Sequence, residues 1–307
     1  LIRYMTLMIS NLKRFTIKPF SIFFFLSLLI IGIYISKDFG ISWDESHHRD
    51  SGQRVLVYLV KFFGFDWVKP IPKGLESFDY SEKMYGPIFD TISAMIEESF
   101  QIKDFKNIYI MRHALNFIFY FIGYFGYFYF ITLLFPKNNY ALILSFFYLL
   151  HPRIFAQGFF NPKDSILQAY FALSLIPITR TFLHFQFKDL IWSAMTIGIA
   201  ISTKVVSIYL PFLFSFFYVL IGHFKKININ NILKKISLFY LFLLLFVFIF
   251  WPPWSNPIKS IIDIFLVLKQ YPFEGKNFIL GEYVSRFNLP WYYIPLWIGI
   301  TTPLTFI

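Results

Sequence analysis

Residues 19–36 read PFSIFFFLSLLIIGIYIS, a run without a single charge, and they decide what kind of protein this is. As a helix, such a stretch reaches most of the way across the roughly 30 Å hydrocarbon core of a bilayer. Further apolar runs follow, so that candidate spans lie at Pro19–Ser36, Ala114–Phe135, Tyr140–Phe160, Ile166–Ile178, Leu190–Thr203, Val205–Ile221, Ile236–Trp251 and Trp291–Ile307. The expected fold is therefore an all-α polytopic membrane protein with about eight transmembrane helices, since helices satisfy their own backbone groups in lipid. Composition agrees. Of 307 residues, 57% are hydrophobic, 23% aromatic and 15% charged, whereas a soluble domain carries about 25% charged residues. A soluble globular core and a disordered chain are both excluded. The absence of cysteine removes disulfides, thiolate metal sites and cysteine nucleophiles.

The net charge of +11 would suit a nucleic-acid binder, but its distribution points elsewhere. Arg3, Lys13, Arg14 and Lys18 precede the first run, as at the start of a secretory signal, yet Ser36-Lys37-Asp38-Phe39 offers no small-residue cleavage site. The run reads as an uncleaved anchor. With the N-terminus in the cytoplasm, the inner segments also hold Lys137, Arg180, Lys188, Lys225, Lys226, Lys234 and Lys235, and their only acid is Asp189. The outer segments are nearly balanced. This is the positive-inside asymmetry of an inner-membrane protein, and it accounts for the net charge without nucleic acid. It places two long loops, 37–113 and 252–290, on the outer face of one transmembrane domain spanning 1–307. Ile307 falls inside an apolar run with no polar flank, so the sequence is expected to be a C-terminally truncated piece of a longer protein.

Within the first loop Val55, Leu56, Leu59, Phe62 and Phe63 recur at helical spacing, as do Ile88, Ile92, Met95 and Ile96. The second loop repeats the pattern with Ile258, Ile261, Ile262, Phe265 and Leu268. These read as amphipathic helices lying in the membrane surface. Several middle spans are short, which suggests helices that stop beneath the headgroups and leave a hollow there.

Charged groups near spans are expensive and are functional candidates by default. On this topology Asp44, Glu45, Arg112, His113, Arg153, Lys163, Asp164 and Lys204 all face the outer side. Each has a plainer reading. Asp44 suits an N-cap for the helix that follows. His47 and His48 could share a metal with Asp44, but adjacent imidazoles diverge and no metal-binding helix motif is present. Asn161-Pro162-Lys163-Asp164 has the residue order of a helix start. Arg112, Arg153 and Lys204 could snorkel to headgroups. Their convergence on one face is harder to explain singly. An acid, several cations and an apolar hollow suit transfer of a sugar from a lipid phosphate: the carboxylate takes the acceptor proton and fixed cations meet the departing phosphate.

Trp43-Asp44-Glu45 after the first span resembles the acidic motif in the first outer loop of C-type integral-membrane glycosyltransferases. This family includes the dolichyl-phosphate-mannose protein mannosyltransferases and the bacterial aminoarabinose–lipid A transferases. Arg112 matches a basic residue that the mannosyltransferases carry near the outer end of span two. Arg153…Lys163-Asp164-Ser165 resembles their second outer motif, although Asn-Pro-Lys stands where they have an apolar run. Leu289-Pro290-Trp291-Tyr292-Tyr293…Thr301-Thr302-Pro303 is similar to a run leading into a later span in bacterial members. The resemblance implies an inverting transferase that uses a polyprenyl-phosphate sugar and no cofactor, with a divalent metal the less favoured option. It implies Asp44 as general base and Glu45 beside it as a partner-orienting or acceptor-binding acid. Arg112, Arg153, Lys163 and Lys204 then face the donor phosphate, and Asp164 and His113 the substrate. The acceptor is a lipid, glycan or protein hydroxyl. The rival readings are a multi-pass transporter or lipid flippase, for which no internal repeat is visible, and an assembly subunit without activity.

Overall fold

A computed structural model describes residues 19–64, 85–135, 138–252 and 275–303, together with positions 262, 263 and 266. The helices are α1 (Pro19–Ile35), α2 (Glu45–Phe63), α3 (Ile88–Ser99), α4 (Phe105–Leu134), α5 (Asn138–Leu150), α6 (Pro152–Phe160), α7 (Asp164–His184), α8 (Phe187–Ile201), α9 (Tyr209–Phe224), α10 (Ile229–Phe250) and α11 (Tyr293–Thr301). Among the described residues, five are long and apolar enough to cross a membrane: α1, α4, α7, α9 and α10. A sixth span results if α5 and α6 are counted as one.

The expected count of eight is not confirmed among the described residues. The run Leu190–Thr203 forms α8, whose 15 residues extend only about 22 Å. The described part of Trp291–Ile307 contains the nine-residue α11. Tyr140–Phe160 is not straight but bends by 65° between α5 and α6. His151 supplies the break: it precedes Pro152, and its backbone is extended, as steric conflict with a following proline demands.

The outward faces of the spans carry apolar side chains, among them Phe20, Phe23 and Ile30 on α1, Phe212 and Phe216 on α9, and Leu241 and Leu244 on α10. A water-facing helix would place polar groups there. Polar groups turn inward instead and join helices pairwise: Tyr124 to Ser145, Thr181 to Ser193, and Ser215 to Tyr240. Such bonds hold helices together where lipid removes the hydrophobic drive between them. Two apolar clusters form the core. One packs Phe25, Phe117, Tyr124 and Phe159 between α1, α4 and α6. The other packs Ala194, Ile197, Phe214 and Phe239 between α8, α9 and α10.

Loop 37–113 contains helices α2 and α3, but they are not two separate surface helices. Val55, Leu56 and Val60 of α2 are buried, and Leu56 and Val60 cluster with Ala94 of α3. The first part of the α2 stripe therefore meets protein, while Phe62 and Phe63 at its end are exposed. In the second loop the expected amphipathic stretch lies mostly outside the described residues. Beyond it is a two-stranded antiparallel hairpin, β1 (Lys276–Ile279) and β2 (Glu282–Ser285), that a strictly all-α reading omits. Leu280 and Gly281 both take positive φ at its turn, the geometry a two-residue hairpin requires. Leucine is an unusual occupant of such a position, which is why the turn is hard to read from sequence.

Candidate active site

Helix α3 turns its polar side into the protein. Ile88, Ile92, Met95 and Ile96, which the spacing assigns to a membrane-facing side, are partly exposed. Its buried residues are Asp90, Thr91, Ser93 and Glu97, together with Phe89 and Ala94. Two carboxylates a helical stripe apart are thus turned into the protein, where each must find cations. Glu97 accepts Arg49 Nε at 3.0 Å and Gln53 Nε2 at 3.1 Å, with a second, shorter contact from Arg49 Nη2. This fastens α3 to α2.

Asp90 is fully buried and is the hub of the site. Its Oδ1 accepts Arg112 Nη2 at 2.6 Å, and its Oδ2 accepts Lys163 Nζ at 2.6 Å. Lys163 Nζ also donates to the Gly86 carbonyl at 2.9 Å. Burial pushes the Asp90 carboxyl up, but Lys163 and Arg112 together outweigh it and hold the group below its usual value. The close fit depends on glycine. A Cβ on Gly52 would lie 2.3 Å from the Asp90 carbonyl oxygen, and one on Gly86 would lie 1.2 Å from that of Ser202. Arg112 has two further donors, Nε and Nη1, buried without a hydrogen bond among the described residues. Its guanidinium carbon lies 5.5 Å from the centroid of the Phe89 ring, which meets part of that demand.

Above this floor runs a more open rim. Asp44 occupies the N-cap position of α2 yet makes no capping bond. Its Oδ2 meets His48 Nε2 at 3.2 Å, its Oδ1 accepts Ser42 Oγ at 3.2 Å, and the side chain stays 56% exposed. The His48 hydrogen bond, working against partial burial, brings the Asp44 carboxyl down to about 2. The buried His48 ring meets Tyr85 edge-on, with centroids 5.6 Å apart. Lys163 Nζ and Lys204 Nζ both lie 5.8 Å from the centroid of that same tyrosine ring. Lys204 Nζ then donates to Asp164 Oδ1 at 2.6 Å. Asn161 Nδ2 donates to the other oxygen of Asp164 at 3.1 Å. The Phe160 carbonyl lies 3.3 Å from Ser42 Oγ and shares its single proton with Asp44, which closes the circuit.

Helix ends create this circuit. The extended residue Lys204 follows the end of α8 and pairs with Tyr85 as an isolated bridge. Asn161 caps the end of α6, and its Oδ1 accepts the backbone N–H groups of Lys163 and Asp164 in the turn before α7. The N-cap of α7 is Lys163 and the helix begins at Asp164, two residues later than the Asn161-Pro162 start read from the sequence. Phe39 stacks on Phe159 at 4.1 Å and ties the segment between α1 and α2 to α6.

The sequence candidates thus divide. Glu45 is buried, accepting the Ser42 backbone N–H at 2.8 Å and lying 3.0 Å from His113 Nε2, so the pair fastens α2 to α4. Arg112 and Lys163 form the floor with Asp90. Asp44, Asp164 and Lys204 share the rim. Arg153 is exposed on α6 and has no ion pair among the described residues. His47 is exposed while His48 is buried, so their rings diverge. Among the described residues, no three His, Asp or Glu side chains are grouped to hold a metal ion. Asp90, Glu97 and Tyr85 were not singled out in the sequence, and His48 entered only as a possible metal ligand beside His47. The usable signal for the first two was the polar stripe opposite the isoleucines. In comparison with known proteins, the chain matches no family model, no curated protein and no solved structure.

Proposed function

We propose that this protein transfers a sugar from a polyprenyl-phosphate donor to an acceptor hydroxyl on the outer face of the inner membrane. The observation that carries the reading is Asp44: it stands at a cap position, leaves the cap unmade and presents an ionised carboxylate on a rim with Lys204. The short motifs shared with C-type glycosyltransferases support it as well. In this mechanism the acceptor oxygen attacks the anomeric carbon with inversion while the bond to the phosphate oxygen breaks. The electron pair leaves with the polyprenyl phosphate, and the acceptor proton passes to Asp44. A carboxylate held at about 2 is a weak base, so that proton moves late, once bond formation has made the hydroxyl acidic.

Lys204, the more accessible cation, meets the departing phosphate, with Arg153 as a second contact. Arg112 and Lys163 act from the floor through their field, and the two unfilled Arg112 donors add to it. Asp164 aims Lys204, and the Glu45–His113 pair fixes the start of α2 and so positions Asp44. Orientation rests on the charge asymmetry. Because the chain lacks cysteine, an impermeant thiol reagent on intact cells should label Ser46→Cys and spare Asn230→Cys.

A carrier is the second reading, favoured by the buried Asp90 between two cations, the kind of group that couples ion movement in membranes. Full-length protein in proteoliposomes separates the two. Release of polyprenyl phosphate from a labelled donor, with label appearing in an acceptor, supports transfer. Uptake or flipping of an intact solute without bond cleavage supports the carrier and removes Asp44 from this mechanism.

A further inference from the structure

At the opposite end of α7 from the rim, a groove of about 460 Å³ runs between α7 and α8. Leu173, Ile176, Trp192, Met195 and Ile199 make its walls apolar. Thr196 and Tyr170 carry the hydroxyls on its wall, and that of Thr196 already bonds to the Trp192 carbonyl of its own helix at 2.9 Å. The predominantly apolar wall suits an apolar occupant. Pro177 also lines it, inside α7. Without an N–H it leaves the helix one hydrogen bond short at this level.

The mouth is different. Arg180 and Lys188 stand there with Asp189, at the turn joining the two helices. Arg180 Nε lies 3.0 Å from Asp189 Oδ1, while the buried Oδ2 of Asp189 has no hydrogen bond among the described residues. Lys188 is exposed and unpaired among them. Two cations and one unmet acceptor complement a phosphate ester whose headgroup also carries a hydroxyl donor. The half-exposed Trp192 sits on the same wall, the kind of residue found where acyl chains give way to headgroups.

We infer that this groove is a binding site for a glycerophospholipid, with one acyl chain between α7 and α8. Its phosphate lies against Arg180 and Lys188, and a headgroup hydroxyl reaches Asp189. The occupant follows from the pairing of a chain-shaped apolar wall with a charged mouth of the right sign. The site is separate from the rim and does not depend on the transferase reading.

The test uses full-length protein stripped in neutral detergent and titrated with phosphatidylglycerol or phosphatidylcholine, with bound lipid counted by native mass spectrometry. Phosphatidylglycerol should bind more tightly, by about fivefold for each basic residue that meets the phosphate. Lys188→Gln leaves the Arg180–Asp189 pair intact and should lower that preference about fivefold. Met195→Trp fills the groove and should reduce occupancy by both lipids while the charged mouth remains. Equal binding of the two lipids, unchanged by Lys188→Gln, would overturn the headgroup site. Loss on Lys188→Gln with no effect of Met195→Trp would place the lipid on the surface and overturn the groove.

Discussion

Lys163–Asp90 and Lys204–Asp164 are the same ion pair twice: lysine to aspartate, 2.6 Å in each case. They differ in burial. The first pair is 5% and 0% exposed, the second 28% and 46%. A buried pair that loses one partner strands a charge in a poorly polarisable interior, whereas an exposed pair returns both groups to water. Equal geometry therefore does not mean equal duty. The floor pair holds α3 and the start of α7 together, and its energetics are those of the fold. The rim pair contributes little to folding, so under the proposed transfer its lysine can meet the donor phosphate.

The largest effect expected from this contrast is on the floor. Arg112→Met and Lys163→Met each leave Asp90 with one cation and one unmet buried oxygen, and each should destabilise the protein by about 1–3 kcal/mol. Thermal unfolding in detergent would record it as a large loss of melting temperature. Lys204→Met should cost at most about 1 kcal/mol while lowering sugar transfer by roughly 10²–10³-fold, the range for losing one fixed donor at a developing charge. A stability loss at Lys204 equal to that at Lys163 would erase the distinction between floor and rim.

A smaller effect is expected from pH. The Asp44 carboxyl is depressed from 3.8 to about 2 in the folded protein. Its contribution to stability is present above 3.8 and disappears as pH falls toward 2, because the unfolded state takes up the proton first. Acid unfolding of Asp44→Asn should lack that component. With Asp44 ionised throughout the physiological range, the pH–rate profile should show no limb from this carboxylate above its ordinary value.

The membrane character and the convergence of most of the charged candidates were legible because each rests on composition or spacing. The packing of α3 was not. Its isoleucines read as a membrane-facing stripe, but no local pattern showed that the opposite side, with Asp90 and Glu97, is buried in the protein. Arg112 was legible as a charged residue near a span, but its partner lies on a different helix, 22 residues earlier, and no local pattern pairs them. The capping role suggested for Asp44 fails for a similar reason: His48 and Ser42 compete for its side chain, a choice made by rotamers rather than by residue type. The bend at His151-Pro152 follows a local rule, yet the apolar run through it reads as continuous when hydropathy alone is counted.

The central claim, that Asp44 on the rim is the reacting carboxylate, is tested most directly by Asp44→Asn assayed for transfer from a labelled polyprenyl-phosphate sugar at matched folded protein. Asparagine keeps the size and the capping ability of aspartate, so folding should be retained. The account predicts that transfer falls about 10²–10⁴-fold while donor binding persists. Near-normal transfer by the variant would contradict it.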